Sequence, residues 1–224
     1  MCGPPHPLAY SGMISRLHNF IFVHIPKTAG NALQGALLPF ADDTLKIDSR
    51  NFHDGVERFG IILEGTTLQK HSTISDYADQ LDPGFFERAR KFTIVRNPWE
   101  RAISSYFFHP RVQRPRLEGH PMIESRFDPD AFLASMLLLK PIRDHICTHG
   151  RAIEHHAVDR FLKTESLQTD MNSFCAELGL PDVTIARRNV GHHRHYAEYY
   201  NQDLRRAVRD RFAEDIEYFG YRFD

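Results

Sequence analysis

The stretch Phe22-Val23-His24-Ile25-Pro26-Lys27-Thr28-Ala29-Gly30-Asn31-Ala32-Leu33 decides how the rest of the chain is read. The run Asn19–Ile25 is rich in β-branched and aromatic residues, is stopped by Pro26 and leads to a glycine, as a buried strand feeding a loop should. Residues 31–38 then turn to helical spacing, with Leu33, Leu37 and Leu38 on one side. In such a strand–loop–helix unit, small loop residues let backbone N–H groups face an anion, and the helix N-terminus adds a favourable dipole. Lys27 supplies a point charge and Thr28 a hydroxyl donor, both suited to an oxyanion of the phosphate type. The loop is not a Walker A motif, because Pro26 stands where GxxxxGK[ST] needs glycine. GxG occurs nowhere in the chain, so the dinucleotide fingerprint is absent as well. An isolated Lys-Thr pair reads as an ordinary turn with an exposed lysine.

A second unit of the same kind follows. Lys91–Val95 reads as a strand, Arg96-Asn97 lead into Pro98, well suited to the first helical position, and WERAISSYFF continues as a helix. Arg96 stands at the strand's carboxyl end, where ligands bind in open α/β sheets. Ser104 is eight residues on, about two helical turns. Two anion loops on successive sheet edges imply one ligand with phosphates at both ends, whereas a simple kinase needs only the first loop plus magnesium ligands. Between the units the pattern predicts a strand at 60–63 and helices near 74–81 and 83–90, with Asp82 as an N-cap. Beyond them it predicts a helix at 128–139, a strand at 158–162, a helix at 166–178 closed by Gly179 and Pro181, and a last helix at 201–217. That last helix carries Leu204, Val208, Phe212 and Ile216 on one face. Alternating strands and helices argue for an α/β fold with a central parallel sheet flanked by helices, in one domain over 19–224 after an irregular lead-in at 1–18.

The bulk numbers agree. A chain of 224 residues fits one sizeable core, and 42% hydrophobic with 25% charged residues excludes disorder, collagen and coiled coil. A net charge of −1 argues against a nucleic-acid coat. That sum hides an uneven chain, since residues 85–116 hold eight Arg/Lys against two Asp/Glu. Three cysteines without CxxC spacing fit a reducing compartment. The N-terminus lacks a secretory apolar region and no run is long enough to span a bilayer, so a cytoplasmic location is expected.

The segment HIPKTAGNAL resembles the 5′-phosphosulfate loop of the sulfotransferases that use 3′-phosphoadenosine-5′-phosphosulfate (PAPS). It is most similar to the carbohydrate-type branch, sulfotransferase family 2-like, with its bacterial relatives. The resemblance spans about residues 19–222, is patchy at 110–155, and implies a P-loop-like sulfotransferase fold. It implies that Lys27, Thr28, Ala29, Gly30, Asn31 and Ala32 hold the 5′ end of the donor. Arg96 and Ser104 would take its 3′-phosphate. Asn189-Val-Gly191-His192 and the pair Tyr199-Tyr200 are similar to a family loop that closes over the nucleotide, which puts Arg188, Asn189 and Arg194 at the donor. Gly191 stands where many relatives carry serine. His71, in Gln69-Lys70-His71-Ser72, sits where relatives carry the general base on the acceptor hydroxyl, with His24 second choice. Lys70 is read as a group that helps hold acceptor or donor, and Lys27 as the group that stabilises the leaving oxygen.

The resemblance thus implies sulfuryl transfer from PAPS to a hydroxyl of a carbohydrate, a glycan or glycolipid, leaving 3′,5′-bisphosphate (PAP) and requiring no metal. Two rival readings are a P-loop-type nucleotide kinase and a non-catalytic module that binds PAP. Arg101 reads as a solvated or ion-paired helix residue, and Trp99, Tyr106, Phe107 and Phe108 as packing residues. His192, His193 and His195 read as a basic loop rather than a zinc site.

Overall fold

A computed structural model describes residues 13–42, 44–47, 59–62, 66–108, 127–186 and 193–224, and of 44–47 and 59–62 the backbone pairing alone. The central sheet is built from β1 (Met13–Ser15), β2 (Phe20–Val23), β5 (Arg90–Val95) and β6 (Arg160–Lys163), in the order β1-β2-β5-β6. β1 runs antiparallel to β2, whereas β2, β5 and β6 are mutually parallel, with Phe20 opposite Arg90 and Phe92 opposite Arg160. The expected α/β fold with a parallel sheet is therefore present. Parallel strands need crossovers, and helices supply them on both faces.

The period of two along β2 shows how both faces are covered. Phe20 and Phe22 join Phe92, Ile94 and Leu162 in one core, closed by helix α1 (Gly30–Leu37) and helix α7 (Leu167–Glu177). Ile21 and Val23 point the other way, into a core with Ile74 and Tyr77 of α2 (Ile74–Gln80) and Phe85 and Phe86 of α3 (Pro83–Arg88). Thr73 and Asp76 close a capping box on α2, and the Asp82 side chain accepts from Phe85 N at 2.8 Å to start α3, as its position before Pro83 predicts. A third, aromatic layer joins α4 (Pro98–Phe108), α5 (Pro129–Leu137) and α8 (Gln202–Arg211) around Trp99, Tyr106, Phe132 and Phe212.

Four expectations differ. Met13–Ser15 falls in the stretch read as an irregular lead-in but forms the edge strand β1, so the folded part begins before residue 19. The strand expected at 60–63 exists as β4 (Phe59–Ile62), yet it pairs with β3 (Thr44–Ile47) in a separate antiparallel hairpin rather than joining the sheet. The short helix α6 (Arg143–Ile146) has no forecast counterpart. The last helix breaks at Phe212, whose φ of −114° and ψ of 30° separate α8 from α9 (Ala213–Phe219). The Phe212 side chain is 2% exposed, so packing of its ring fixes the corner.

Candidate active site

Most of the residues singled out from the sequence meet at the carboxyl ends of β2 and β5, around a cleft of about 1080 Å³. His24, Lys27, Ala29, Gly30, Asn31, Ala32, Lys70, His71, Arg96 and Ser104 line it, joined by Glu100, His145 and Thr164 among others.

The loop between β2 and α1 turns its carbonyls inward. Pro26 O accepts from Arg101 Nε at 3.0 Å and Lys27 O from Arg96 Nη1 at 3.2 Å, while Thr164 Oγ1, 3.4 Å from Thr28 O, gives its one proton to Val95 O at 3.0 Å. Two successive carbonyls, those of Pro26 and Lys27, are thus held by arginine donors on the protein side. Lys27 (φ 70°) and Ala29 (φ 68°) are both left-handed, as in backbone nests that receive anions. The first turn of α1 adds its positive dipole end to the same place, with Ala32 N turned back to Ala29 O at 3.0 Å. Gly30 is demanded sterically. A Cβ there would stand 2.2 Å from Cδ2 and Nε2 of His24.

Thr28 departs from expectation. Its side chain is fully buried and its hydroxyl donates to Ile25 O at 2.8 Å, so it ties the loop to the end of β2 instead of reaching an anion. Lys27 does reach the cleft, where its Nζ lies 3.6 Å from the centroid of the Phe108 ring. Burial, then the positive Arg96 and Lys70, pull its pKa from 10.5 to about 7, so the loop is short of negative charge.

Arg96 sits at the cleft as read from the sequence. One terminal nitrogen holds the Lys27 carbonyl and the other pairs with Glu100 Oε1 at 2.8 Å, while its buried Nε has no hydrogen-bond partner among the described residues. Burial raises the Glu100 carboxyl, but the hydrogen bond and charge of Arg96 prevail and hold it below its ordinary value. Ser104 lines the same wall two turns along α4. Asn97, N-cap of that helix, accepts from Trp99 N at 3.0 Å, and this fixes where Arg96 leaves the strand.

Arg101 is the larger surprise. It is 1% exposed, not solvated, and donates to Pro26 O and to Lys140 O at 2.9 Å. Burial, offset by the charge of Asp215, lowers its pKa to about 10, so it stays a cation at neutral pH. It bolts the anion loop to the segment that precedes α6.

His71 precedes α2 in a turn held by Ser72 N to Gln69 O (3.0 Å) and Gln69 N to Ser72 Oγ (2.9 Å). Its Nδ1 lies 2.9 Å from the carbonyl of His24. A carbonyl only accepts, so Nδ1 carries the proton and the lone pair is on Nε2. Desolvation first, against that hydrogen bond and with the charges of Lys70, Arg101 and Lys27, lowers the pKa to about 4. The side chain is exposed to the cleft, where water moderates the depression; the ring is neutral at pH 7 either way. His24 is buried beneath it, with ring centroids 4.7 Å apart, its Nδ1 3.0 Å from Gln34 Oε1 and its pKa well below the usual range through burial.

At the C-terminal side the expectations divide. Arg194 does not line the cleft. It is exposed, beside Glu198 at 3.4 Å and over the Tyr199 ring. Arg188, Asn189, Gly191 and His192 lie outside the described residues. His193 does border the cleft, stacked on Phe107 at 5.2 Å, and His195 packs on Tyr196. Tyr106 and Phe107 are core residues, but Phe108 is 37% exposed and faces Lys27.

The sequence profile described as the sulfotransferase family matches residues 11–222, nearly the whole chain. The chain belongs to the sulfotransferase family. No curated protein and no solved structure matches it. In this sulfotransferase the match takes in both anion loops, β1 and the broken last helix. Arg101 and His145 are the site residues that sequence reasoning missed. For Arg101 a signal existed, a long cation on the same helix as Trp99, Ala102 and Ile103, where burial of the helix demands an internal partner. For His145 the only trace is its place between the core residues Ile142 and Ile146.

Proposed function

We propose that the protein transfers a sulfuryl group from PAPS to an acceptor hydroxyl, with a carbohydrate as the acceptor class. The observation that supports this best is the hold of Arg101 and Arg96 on two successive loop carbonyls, beside a cleft histidine whose Nδ1 is turned to the His24 carbonyl and whose lone pair is therefore on Nε2. An anionic donor end and a proton acceptor are thereby set side by side.

In this reading the 5′-phosphosulfate lies on the loop between β2 and α1, where the sequence resemblance puts it on residues 28–32 although Ala32 N already donates to Ala29 O, and Arg96 and Ser104 receive the 3′-phosphate. His71 Nε2 takes the proton of the acceptor hydroxyl as its oxygen attacks sulfur. The bond from sulfur to the bridging oxygen breaks, and its electron pair stays on the 5′-phosphate of PAP. Lys27, protonated once the anion arrives, stabilises that oxygen. Sulfuryl transfer, like phosphoryl transfer, asks the protein mainly to position both partners and to stabilise spreading charge.

Thermal unfolding with PAP, with magnesium-ATP and with neither tests the donor. A ligand at a hundred times its Kd adds about 2.7 kcal/mol, roughly 5–11 °C for a chain of this size. PAP should stabilise, and transfer of label from radioactive PAPS should be lost in Lys27→Ala. A shift with magnesium-ATP and none with PAP would favour a nucleotide kinase and sink the reading.

A further inference from the structure

The cleft has two unlike walls. At the ends of β2 and β5 stand Lys27, His71 and Arg96, whereas the side built from α4, α5 and the turn after α5 presents Phe108 and Leu138. Phe108 is 37% exposed even with Lys27 Nζ on its ring, and Leu138 is 77% exposed. Leu137, the residue before it, adds a further exposed apolar side chain. A single surface leucine is ordinary, but large apolar side chains gathered at the rim of a cleft mark a place that a partner covers. The leucines are held outward. Met136 and Leu139 take the buried positions of this turn, and Arg211 donates to the carbonyls of Met136 at 3.2 Å, Leu137 at 2.8 Å and Leu139 at 3.2 Å. Arg101 holds the next carbonyl, that of Lys140, at 2.9 Å.

This apolar wall is joined to the anion loop at both ends. Arg101 bridges Lys140 O to Pro26 O, and Lys27 Nζ lies 3.6 Å from the centroid of the Phe108 ring. A group lying on the wall is therefore within reach of the atoms assigned to the reaction. Phe108 and Leu138 offer it apolar surface and no side-chain hydrogen bond, so what they reward is an apolar group removed from water. Lys140 borders the cleft in the same turn, but it is exposed, and an exposed ammonium stays solvated without a partner. We propose that the acceptor is a glycoside with an apolar aglycone, which lies on Phe108 and Leu138 while a sugar hydroxyl meets His71. This assignment rests on the sulfuryl-transfer reading above and narrows its acceptor class.

Calorimetry on the PAP complex tests it, with hexyl and methyl β-D-glucopyranoside titrated into wild type, Phe108→Ser, Leu138→Ser and Lys140→Ala. Hexyl glucoside is expected to bind wild type at least about tenfold tighter than methyl glucoside, with a negative heat-capacity change. That preference should shrink about fivefold or more in Phe108→Ser and in Leu138→Ser, and stay unchanged in Lys140→Ala. PAP affinity should stay within about twofold in Leu138→Ser, which separates the loss from damage to the donor site. Absent binding of hexyl glucoside, equal binding of the two glucosides, or a preference that survives both serine variants would overturn the assignment. So would tighter binding of methyl β-D-glucopyranosiduronate that is lost in Lys140→Ala, since the wall would then serve an anionic acceptor. Failure of PAP to bind wild type would instead break the donor reading, and the same titrations on the free protein would then decide what the wall takes.

Discussion

In the proposed reaction a single hydrogen bond selects the nitrogen of His71 that would act: Nδ1 donates to the His24 carbonyl, so the base would be Nε2, with no tautomer change during turnover. His71→Ala should lower kcat by about 10²–10⁴-fold with PAP affinity unchanged, and a loss below about tenfold would move the base to His24. Lys27 carries a different prediction. Its pKa of about 7 in the empty cleft must rise when phosphate and sulfate approach, so between the two values binding takes up a proton. Near pH 8, PAP binding should take up close to one proton, and near pH 6 almost none. Titrations in buffers of different ionisation enthalpy measure this, and Lys27→Met should abolish it. The same linkage makes PAP affinity fall as pH rises above about 7. Thr28 shows the limit of motif reading. Its hydroxyl suits an oxyanion chemically, but a 2.8 Å bond to Ile25 O within the loop claims it first.

At the level of elements, the anion loop is a property of three parts of the chain. Arg101→Leu would leave the carbonyls of Pro26 and Lys140 without their donor, at roughly 1–3 kcal/mol each. Urea unfolding should show a loss of that order, and PAP affinity should fall with it because the left-handed turn at Lys27 is no longer held. Loss of stability with intact PAP binding would mean that the loop keeps its shape alone. The loop's position between β2 and α1, and Arg96 before α4, were legible because alternation, proline and helical spacing are local signals. β1 was not. Three residues, Met-Ile-Ser, after a proline-rich stretch carry no period, and only pairing with β2 makes them a strand. The partner of β4 was equally hidden, since residue pattern marks a strand without saying which neighbour it finds. Arg101 and His145 act through segments 75 and 39 residues away or through a cavity, and neither relation has a trace in local spacing.

At the scale of the whole molecule, the histidines at and beneath the cleft make stability depend on pH. His24, His71 and His145 all have pKa values below the ordinary 6.5. Below pH 6.5 the unfolded chain therefore binds protons that the folded chain refuses, and stability falls as pH drops from 6.5 toward the folded values of about 4 for His71 and about 3 for His145. His71, open to the cleft, contributes least, and His24 and His145 carry most of the slope. Urea titrations across this range should show the decline, and His145→Phe should flatten it by up to about one proton. An unchanged slope in that variant would place the acid sensitivity in other groups.

The inward carbonyls have one more consequence, for how the fold is reached. The donors that hold them stand at positions 96 and 101, after β5 and on α4, whereas the carbonyls belong to residues 26 and 27. A segment ending at α1 would hold the strand and the helix but none of the clamps, and its loop carbonyls would turn to water. The turn therefore gains its clamps only after β5 has docked on β2, a long-range pairing that is slow to close. A fragment ending at α1 should accordingly bind no PAP, and the loop cannot be lifted out and grafted as a self-sufficient module.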